Sequence, residues 1–189
     1  MRPEPEIAIE GIGALFRVDS ADRETVRAWR NAPDVRAAMY TRHEISADEH
    51  ESWWDRHVSD PARHMFIAAL DGVMLGVVSV SWPPGAKHAS WAFYAAPDAP
   101  RGAGRRMEAL ALELAFGAMG VETLDCEVRV ENVRVIALHE RFGFAPAGEI
   151  TRQTPEGPVI AVRLILTSQS WAARRAGVLA ELGHSGEAS

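Results

Sequence analysis

The stretch at 96–116, APDAPRGAGRRMEALALELAF, sets a glycine-broken, arginine-rich turn directly against a long apolar-periodic run. A turn that only reversed the chain could manage with one glycine. This one carries Arg101, Gly102, Ala103, Gly104, Arg105 and Arg106 in succession. The first N–H groups of a helix lack intrahelical partners, and the helix dipole adds partial positive charge beside them. Gly102 and Gly104 let a ligand approach the backbone without meeting a Cβ. Arginine forks suit phosphate oxygens. Strand, turn and helix N-terminus together make an anion seat from generic parts. It is not a Walker loop, because no Gly-Lys-Ser/Thr follows, and not a dinucleotide fingerprint, because an antiparallel hairpin precedes it. Read alone, the stretch is equally well a solvated turn.

Working outward, HMFIAALDGVMLGVVSVSW at 64–82 holds two strands split by Asp71-Gly72, a hairpin signal. HASWAFYAA at 88–96 reads as a third strand after the turn PPGAK. The helix that follows the arginine turn spans about 105–119 and is closed by Gly120. ETLDCEVRV is a further strand, and VRVIALHERF is a helix ended by Gly143. AGEITRQT and VIAVRLILT form a hairpin around PEGP, and SQSWAARRAGVLAEL is a terminal helix at 168–182. Toward the N-terminus, GALFRV at 13–18 is the first strand. From Asp22 the spacing turns helical, with Val26 and Trp29 on one face. Pro33 stops that helix and opens a short second one. Ser46-Ala47-Asp48-Glu49 is a capping box that starts a third helix, with Trp53 and Trp54 placed for the core. The tail GHSGEAS reads as frayed. The expectation is one α+β domain over 1–189, with a mostly antiparallel central sheet flanked by helices.

The bulk numbers narrow the function. Hydrophobic residues make up 47% of 189, so a sizeable core is expected and wholesale disorder is excluded. A formal net charge of -6 argues against a nucleic-acid partner, so any phosphate contact is local. The single cysteine, Cys126, lies in an alternating apolar run and reads as a buried structural thiol. The N-terminal MRPEPEIAIEG lacks the apolar core of a secretion signal, and no apolar run approaches a membrane span. A cytoplasmic location without a membrane partner is expected. His43 and His50 have no supporting ligand geometry, so no metal is expected.

VRVENVRVIALHERFGFAPAGE at 128–149 adds a strand, an Asn, an amphipathic helix and Gly-Phe downstream of the Arg-Gly-x-Gly turn. This order resembles the GNAT superfamily of N-acetyltransferases over about 12–167. The resemblance implies a GNAT fold in which the strand WAFYA splays from the next strand and the pantetheine of acetyl-CoA slots into the gap. Backbone groups near Phe93, Tyr94 and Ala95 would hold the pantetheine and polarise the thioester oxygen. The turn from Arg101 to Arg106 would hold the pyrophosphate, and Asn132 would bond the pantetheine arm or shape the cleft. Two departures bear on mechanism. The motif's last small residue is Arg106 here, so at least one of the three arginines points at phosphate or to solvent. The family's tyrosine, the acid that protonates the departing thiolate, is replaced by His139.

A histidine can donate from a ring N–H, but it loses its charge near neutrality. If cationic His139 is the acid, turnover falls as pH rises through its titration. The base is left open: Ser90 stands where many relatives carry a glutamate, and His88, Glu44 and Glu49 are alternatives. Ser90 could orient an amine or a water, but is itself a poor base.

The acceptor side of such a fold is its N-terminal helical region. WRNAPDVRAAMYTRHEIS shares its Arg-Asn-x-Pro-x-Val-Arg opening with ribosomal-protein N-terminal acetyltransferases. Its continuation, with Met39-Tyr40-Thr41, Glu44-Ile45-Ser46 and His50, looks closer to enzymes of flagellin glycosylation. Those acetylate the 4-amino group of a UDP-linked dideoxy sugar on the route to pseudaminic acid. Arg30, Tyr40, Arg42, Glu44 and Trp91 are the candidate acceptor contacts, with Trp53 and Trp54 as alternative flat surfaces for uracil. The nucleotide-sugar reading predicts arginines and aromatics around the acceptor site, and the peptide reading predicts an open acidic cleft. A non-catalytic acyl-CoA-binding module is the third reading. The resemblance also permits a homodimer.

Overall fold

Alternating apolar residues pair into an eight-stranded sheet in the computed structural model, which describes residues 4–184. The strands are β1 (Ile7–Ile9), β2 (Gly13–Arg17), β3 (Arg63–Leu70), β4 (Val73–Ser81), β5 (His88–Ala95), β6 (Thr123–Arg129), β7 (Ala145–Thr154) and β8 (Gly157–Thr167). Their spatial order is β1-β2-β3-β4-β5-β6-β8-β7. Every neighbouring pair is antiparallel except β5 and β6. The Asp71-Gly72 turn between β3 and β4 takes positive φ at both residues, 51° and 81°, which matches the twist of the strands it joins.

Helices α1 (Arg23–Asn31), α2 (Pro33–Ala38) and α3 (Ala47–Ser59) precede β3. Helix α4 (Ala103–Leu112) follows β5, α5 (Val133–Phe142) follows β6, and α6 (Ser168–His184) ends the described chain. The larger core lies on one side of the sheet, where Met107, Leu110 and Leu114 of the α4 segment meet Leu15, Phe66, Val78, Phe142 and Trp171. On the other side Val26 and Trp54 pack on Met65, Ile67 and Val77, with Trp29, Trp53 and Tyr94 partly buried against them. The α3 tryptophans are therefore core residues. Among the described residues no helix is long and apolar enough to cross a membrane.

Several boundaries differ from expectation. Strand β1 is too short to leave an alternation signal, yet it pairs with β2 through Ile7–Leu15 and Ile9–Gly13. Helix α4 starts at Ala103, and after Leu112 it widens into a π segment, Glu113–Ala118, closed by Met119 N–H to Leu114 O at 2.9 Å. That i to i−5 pattern has no periodicity signature over six residues. Strand β7 begins at Ala145, where a bulge between Pro146 and Glu149 hides the alternation. Ser46 accepts the Glu49 N–H at 3.2 Å, while the Glu49 carboxylate turns to His43 at 3.0 Å rather than back to the cap. The helix α6 runs through His184, so only 185–189 of the expected frayed tail remain, outside the described residues.

Candidate active site

The parallel pair β5–β6 is joined only over His88–Ser90 and Thr123–Asp125, although β5 continues to Ala95 and β6 to Arg129. Beyond Ser90 and Asp125 the two strands part, as the expected splay requires. The β6-facing edge of Trp91 to Ala95 thus lacks a neighbouring strand. Unpaired strand N–H and C=O groups are ready to bond an extended ligand arm.

Helix α4 points its N-terminus toward this end of β5. Its N-cap, Gly102, sits at φ 88°, and a Cβ there would meet nothing, so its neighbourhood is open. Gly104 is closer-packed: a Cβ would lie 3.4 Å from Leu138 and 3.6 Å from the Phe93 ring. The three arginines take three different paths. Arg101 is exposed, and among the described residues its side chain has no hydrogen bond or ion pair. Arg105 pairs with Glu181 of α6 at 2.9 Å. Arg106 is buried and donates Nη1 to the carbonyls of Gly11 at 2.5 Å and Ile12 at 3.4 Å. Arg106, expected among the cofactor contacts, has its guanidinium tying α4 to the β1–β2 connection. Asn132 caps α5, its Oδ1 accepting the Val135 N–H at 3.4 Å.

His139 lies at 2% exposure in the angle between β5 and α4. Its Nδ1 is 2.8 Å from Oε1 of Glu108, which is itself wholly buried. Rings crowd it: Trp91 edge-on at 5.4 Å, Phe93 at 5.9 Å and Phe144 at 5.2 Å. Trp91 also stacks on Phe93 at 5.4 Å and is 4% exposed, so it faces the α4–α5 side. Strand alternation puts the side chains of Trp91, an expected acceptor contact, and Phe93 on one face and those of Ser90 and Tyr94 on the other.

The opposite face of the wedge carries a different chemistry. Ser90 Oγ donates to Asp125 Oδ1 at 2.5 Å, His88 Nε2 stands 3.2 Å from the same oxygen, and Arg163 Nε is 2.7 Å from Oδ2. Two residues along β6, Glu127 accepts Tyr40 Oη at 2.9 Å and forms a fork with Arg152. Arg152 and Tyr40 hold the Glu127 carboxyl below its ordinary range, Arg152 contributing more. Burial, with help from Glu127, pushes the Tyr40 phenol up to about 12. Arg129 reaches the Met39 carbonyl at 3.5 Å. Arg30 donates Nη2 to Thr41 O at 3.0 Å and leaves Nη1 buried without a partner. Tyr94 Oη lies 3.5 Å from the Val26 carbonyl, so its ring belongs to the α1 packing. Arg42 and Glu44 are exposed on the loop before α3.

A cavity of about 180 Å³ on this face is lined by His57, Arg63, Ser79, Ser81, Ser90 and their strand neighbours. A larger cleft of about 600 Å³ lies elsewhere, between the β1–β2 and β3–β4 connections. Its ionisable lining residues, Glu10 and Asp71, are exposed turn residues, and neither His139, Ser90, Asp125 nor Tyr40 lines it.

The family model described as an acetyltransferase (GNAT) domain matches residues 14–145. The chain belongs to the GNAT family of acetyltransferases. This acetyltransferase is 25% identical over 127 residues to the acetyltransferase PseH of Campylobacter jejuni subsp. jejuni serotype O:23/36 (strain 81-176), covering 67% of this chain and 79% of PseH. Its fold is similar to that of the Vibrio cholerae spermidine N-acetyltransferase in complex with CoA and spermine: TM-score 0.76, 19% identity, 86% of this chain and 99% of that one. Mutant forms of the spermidine/spermine N-acetyltransferase SpeG from Vibrio cholerae give TM-score 0.73 at 18% identity, over 87% and 99%. At those identities the likeness speaks for the fold alone.

The acetyltransferase brings together His139, Phe93 and the α4 N-terminus on one side of the wedge, and Ser90 and Tyr40 on the other. Sequence reasoning missed Glu108, Asp125, Glu127, Arg152 and Arg163. A signal for two of them existed: in TLDCEVR the polar residues Asp125, Glu127 and Arg129 recur every second position, which places them on one face. Glu108 had no such signal, since it interrupts an apolar helix face.

Proposed function

We propose that this acetyltransferase uses acetyl-CoA to acetylate the 4-amino group of a UDP-linked amino-dideoxy sugar, the reaction of pseudaminic acid biosynthesis. The observation that carries the reading is the charge balance of the acceptor face. Both carboxylates there, Asp125 and Glu127, are matched by arginines, while Arg30 keeps a buried Nη1 without a partner. A face balanced in this way favours an acceptor that brings its own negative charge and disfavours a polycation or a basic peptide N-terminus. Tyr40 and the unpartnered Arg30 donor suit a nucleotide. The PseH similarity supports the same substrate class.

The residues present fit acetyl-CoA. The open strand edge of Phe93 to Ala95 suits the pantetheine amides, and Gly102, Gly104, Arg101 and the first N–H groups of α4 suit the pyrophosphate. Bound there, acetyl-CoA supplies the acetyl group as a thioester. Ser90, held by Asp125, orients the incoming amine, and Asp125 receives its proton through the hydroxyl. His139 donates a proton from Nε2 to the departing sulfur. One C–N bond forms, one C–S bond breaks, and the proton given up at His139 is replaced from solvent.

Free-CoA release with the UDP-4-amino sugar, beside spermidine and a basic peptide N-terminus, tests the reading. Turnover on the sugar at least tenfold above the other two is expected, and activity on the peptide or the polyamine alone would overturn it. His139→Phe is expected to lower turnover about 100-fold or more. If that variant keeps full turnover and the same pH profile, the acid is another group.

A further inference from the structure

Helix α4 carries one carboxylate in the middle of its buried face. Glu108 lies between Met107 and Ala109 at 0% exposure, and its Oε1 stands 2.8 Å from His139 Nδ1. Its other oxygen, Oε2, is buried without a partner. A carboxylate taken out of water in this way is costly, and an apolar side chain would pack the place better. The interaction that compensates is the bond to the imidazole. Trp91, Phe93 and Phe144 hold the ring's plane, so the carboxylate fixes which nitrogen faces which way.

We propose that Glu108 is a positioning residue for proton donation by His139: it keeps the proton on Nδ1 and leaves Nε2 as the donor to the departing thiolate. The inference rests on the acid role given to His139 above. In the step, the C–S bonding pair stays on sulfur and takes the proton from Nε2. The imidazolium becomes a neutral ring whose Nδ1–H remains on the Glu108 carboxylate, and water restores the Nε2 proton before the next turnover. Without the carboxylate, the neutral ring is free to carry its proton on either nitrogen, and the cation loses its counter-charge.

The groups facing the pair fit this role. Burial holds the Glu108 carboxyl above its ordinary range, and the His139 hydrogen bond offsets part of that rise. From β6 comes Cys126, whose thiol burial pushes up, reinforced by Glu108, Asp125 and Glu127, so it stays neutral. From β5 and the residue just before β7 come only the Trp91, Phe93 and Phe144 rings. The imidazole therefore has Glu108 as its one charged contact among the described residues.

Two measurements test the assignment. In the unaltered ¹⁵N-labelled protein, two-bond proton–nitrogen spectra of His139, assigned by their loss in His139→Phe, report the tautomer without any turnover. The expected result is a neutral ring protonated at Nδ1. A neutral ring protonated at Nε2, with Nδ1 accepting from a protonated Glu108, overturns the proposal. In CoA-release profiles against pH, Glu108→Gln is expected to lower kcat at neutral pH about tenfold and to move the alkaline limb about one unit toward acid. Its KM for acetyl-CoA should stay within twofold. An unshifted limb with full kcat overturns the role of Glu108 while leaving that of His139. Unchanged turnover in His139→Phe removes both. If Glu108→Gln does not fold, the tautomer measurement alone decides.

Discussion

The Arg106 guanidinium donates to the Gly11 and Ile12 carbonyls from inside the fold, while Arg101, five residues earlier, stands in solvent. Two arginines of one turn therefore answer different tests. Arg106→Ala removes the buried donor that serves the Gly11 and Ile12 carbonyls and should cost roughly 1–3 kcal/mol of unfolding free energy. Urea titration reads that loss, and calorimetry should find acetyl-CoA affinity within about threefold of the parent for the protein that remains folded. Arg101→Ala should do the reverse, leaving stability within about 0.5 kcal/mol and weakening acetyl-CoA several-fold. Equal affinity losses in both variants would return Arg106 to the phosphate. The identity of the residue could not separate these roles, because an arginine can brace a turn or bind an anion with the same fork.

Helix α3 illustrates what an element can hide. Its Ser46 cap and tryptophans were legible, but two histidines on the same face, His50 and His57, are buried with both ring nitrogens lacking partners. Burial is the first cause holding both below the ordinary histidine range, and it takes His57 to about 4, with Arg63 adding to the effect. The unfolded chain binds protons at these rings below about pH 6.5 while the folded one does not. Their contribution to stability is therefore intact above pH 6.5 and is lost as pH falls toward 4. Denaturation midpoints should drop between pH 7 and pH 5, and His57→Phe should flatten that slope. A midpoint in the parent that does not change over this range would mean that the rings take up protons without unfolding.

At the scale of the molecule, the decisive feature is a pairing that stops. The β5–β6 pair ends at Ser90 and Asp125, and the wedge beyond them separates an aromatic, His139-bearing side from a side of arginine-matched carboxylates. Acetyl-CoA in the wedge should slow amide exchange among residues 91–95 and at the start of α4, with little change in β1 or β7. At 100 times its dissociation constant it should add about 2.7 kcal/mol of stability. Uniform protection, or none, would argue against binding along that strand edge.

Most of the fold was legible because its elements carry their own signals. The Asp71-Gly72 turn, the 3.6-residue spacing of α4 and α5 and the alternation of β3 to β5 are local patterns, set by residues that lie close in the chain. The turn at Arg101 and the helix at His139 could likewise be named, since motif order is a property of sequence. The partners could not. Glu108 reaches His139 across 31 residues, Ser90 meets Asp125 across 35, and Tyr40 meets Glu127 across 87. Periodicity places a side chain on a face but does not say what faces it. The sequence by itself determined most of the elements, their order and the family. Only the tertiary structure decided that Arg106 braces the fold, that Trp91 packs on Phe93 and His139, and that His139 rests on a buried carboxylate. Those depend on burial and on long-range contact, which exist only once the sheet has closed over its helices.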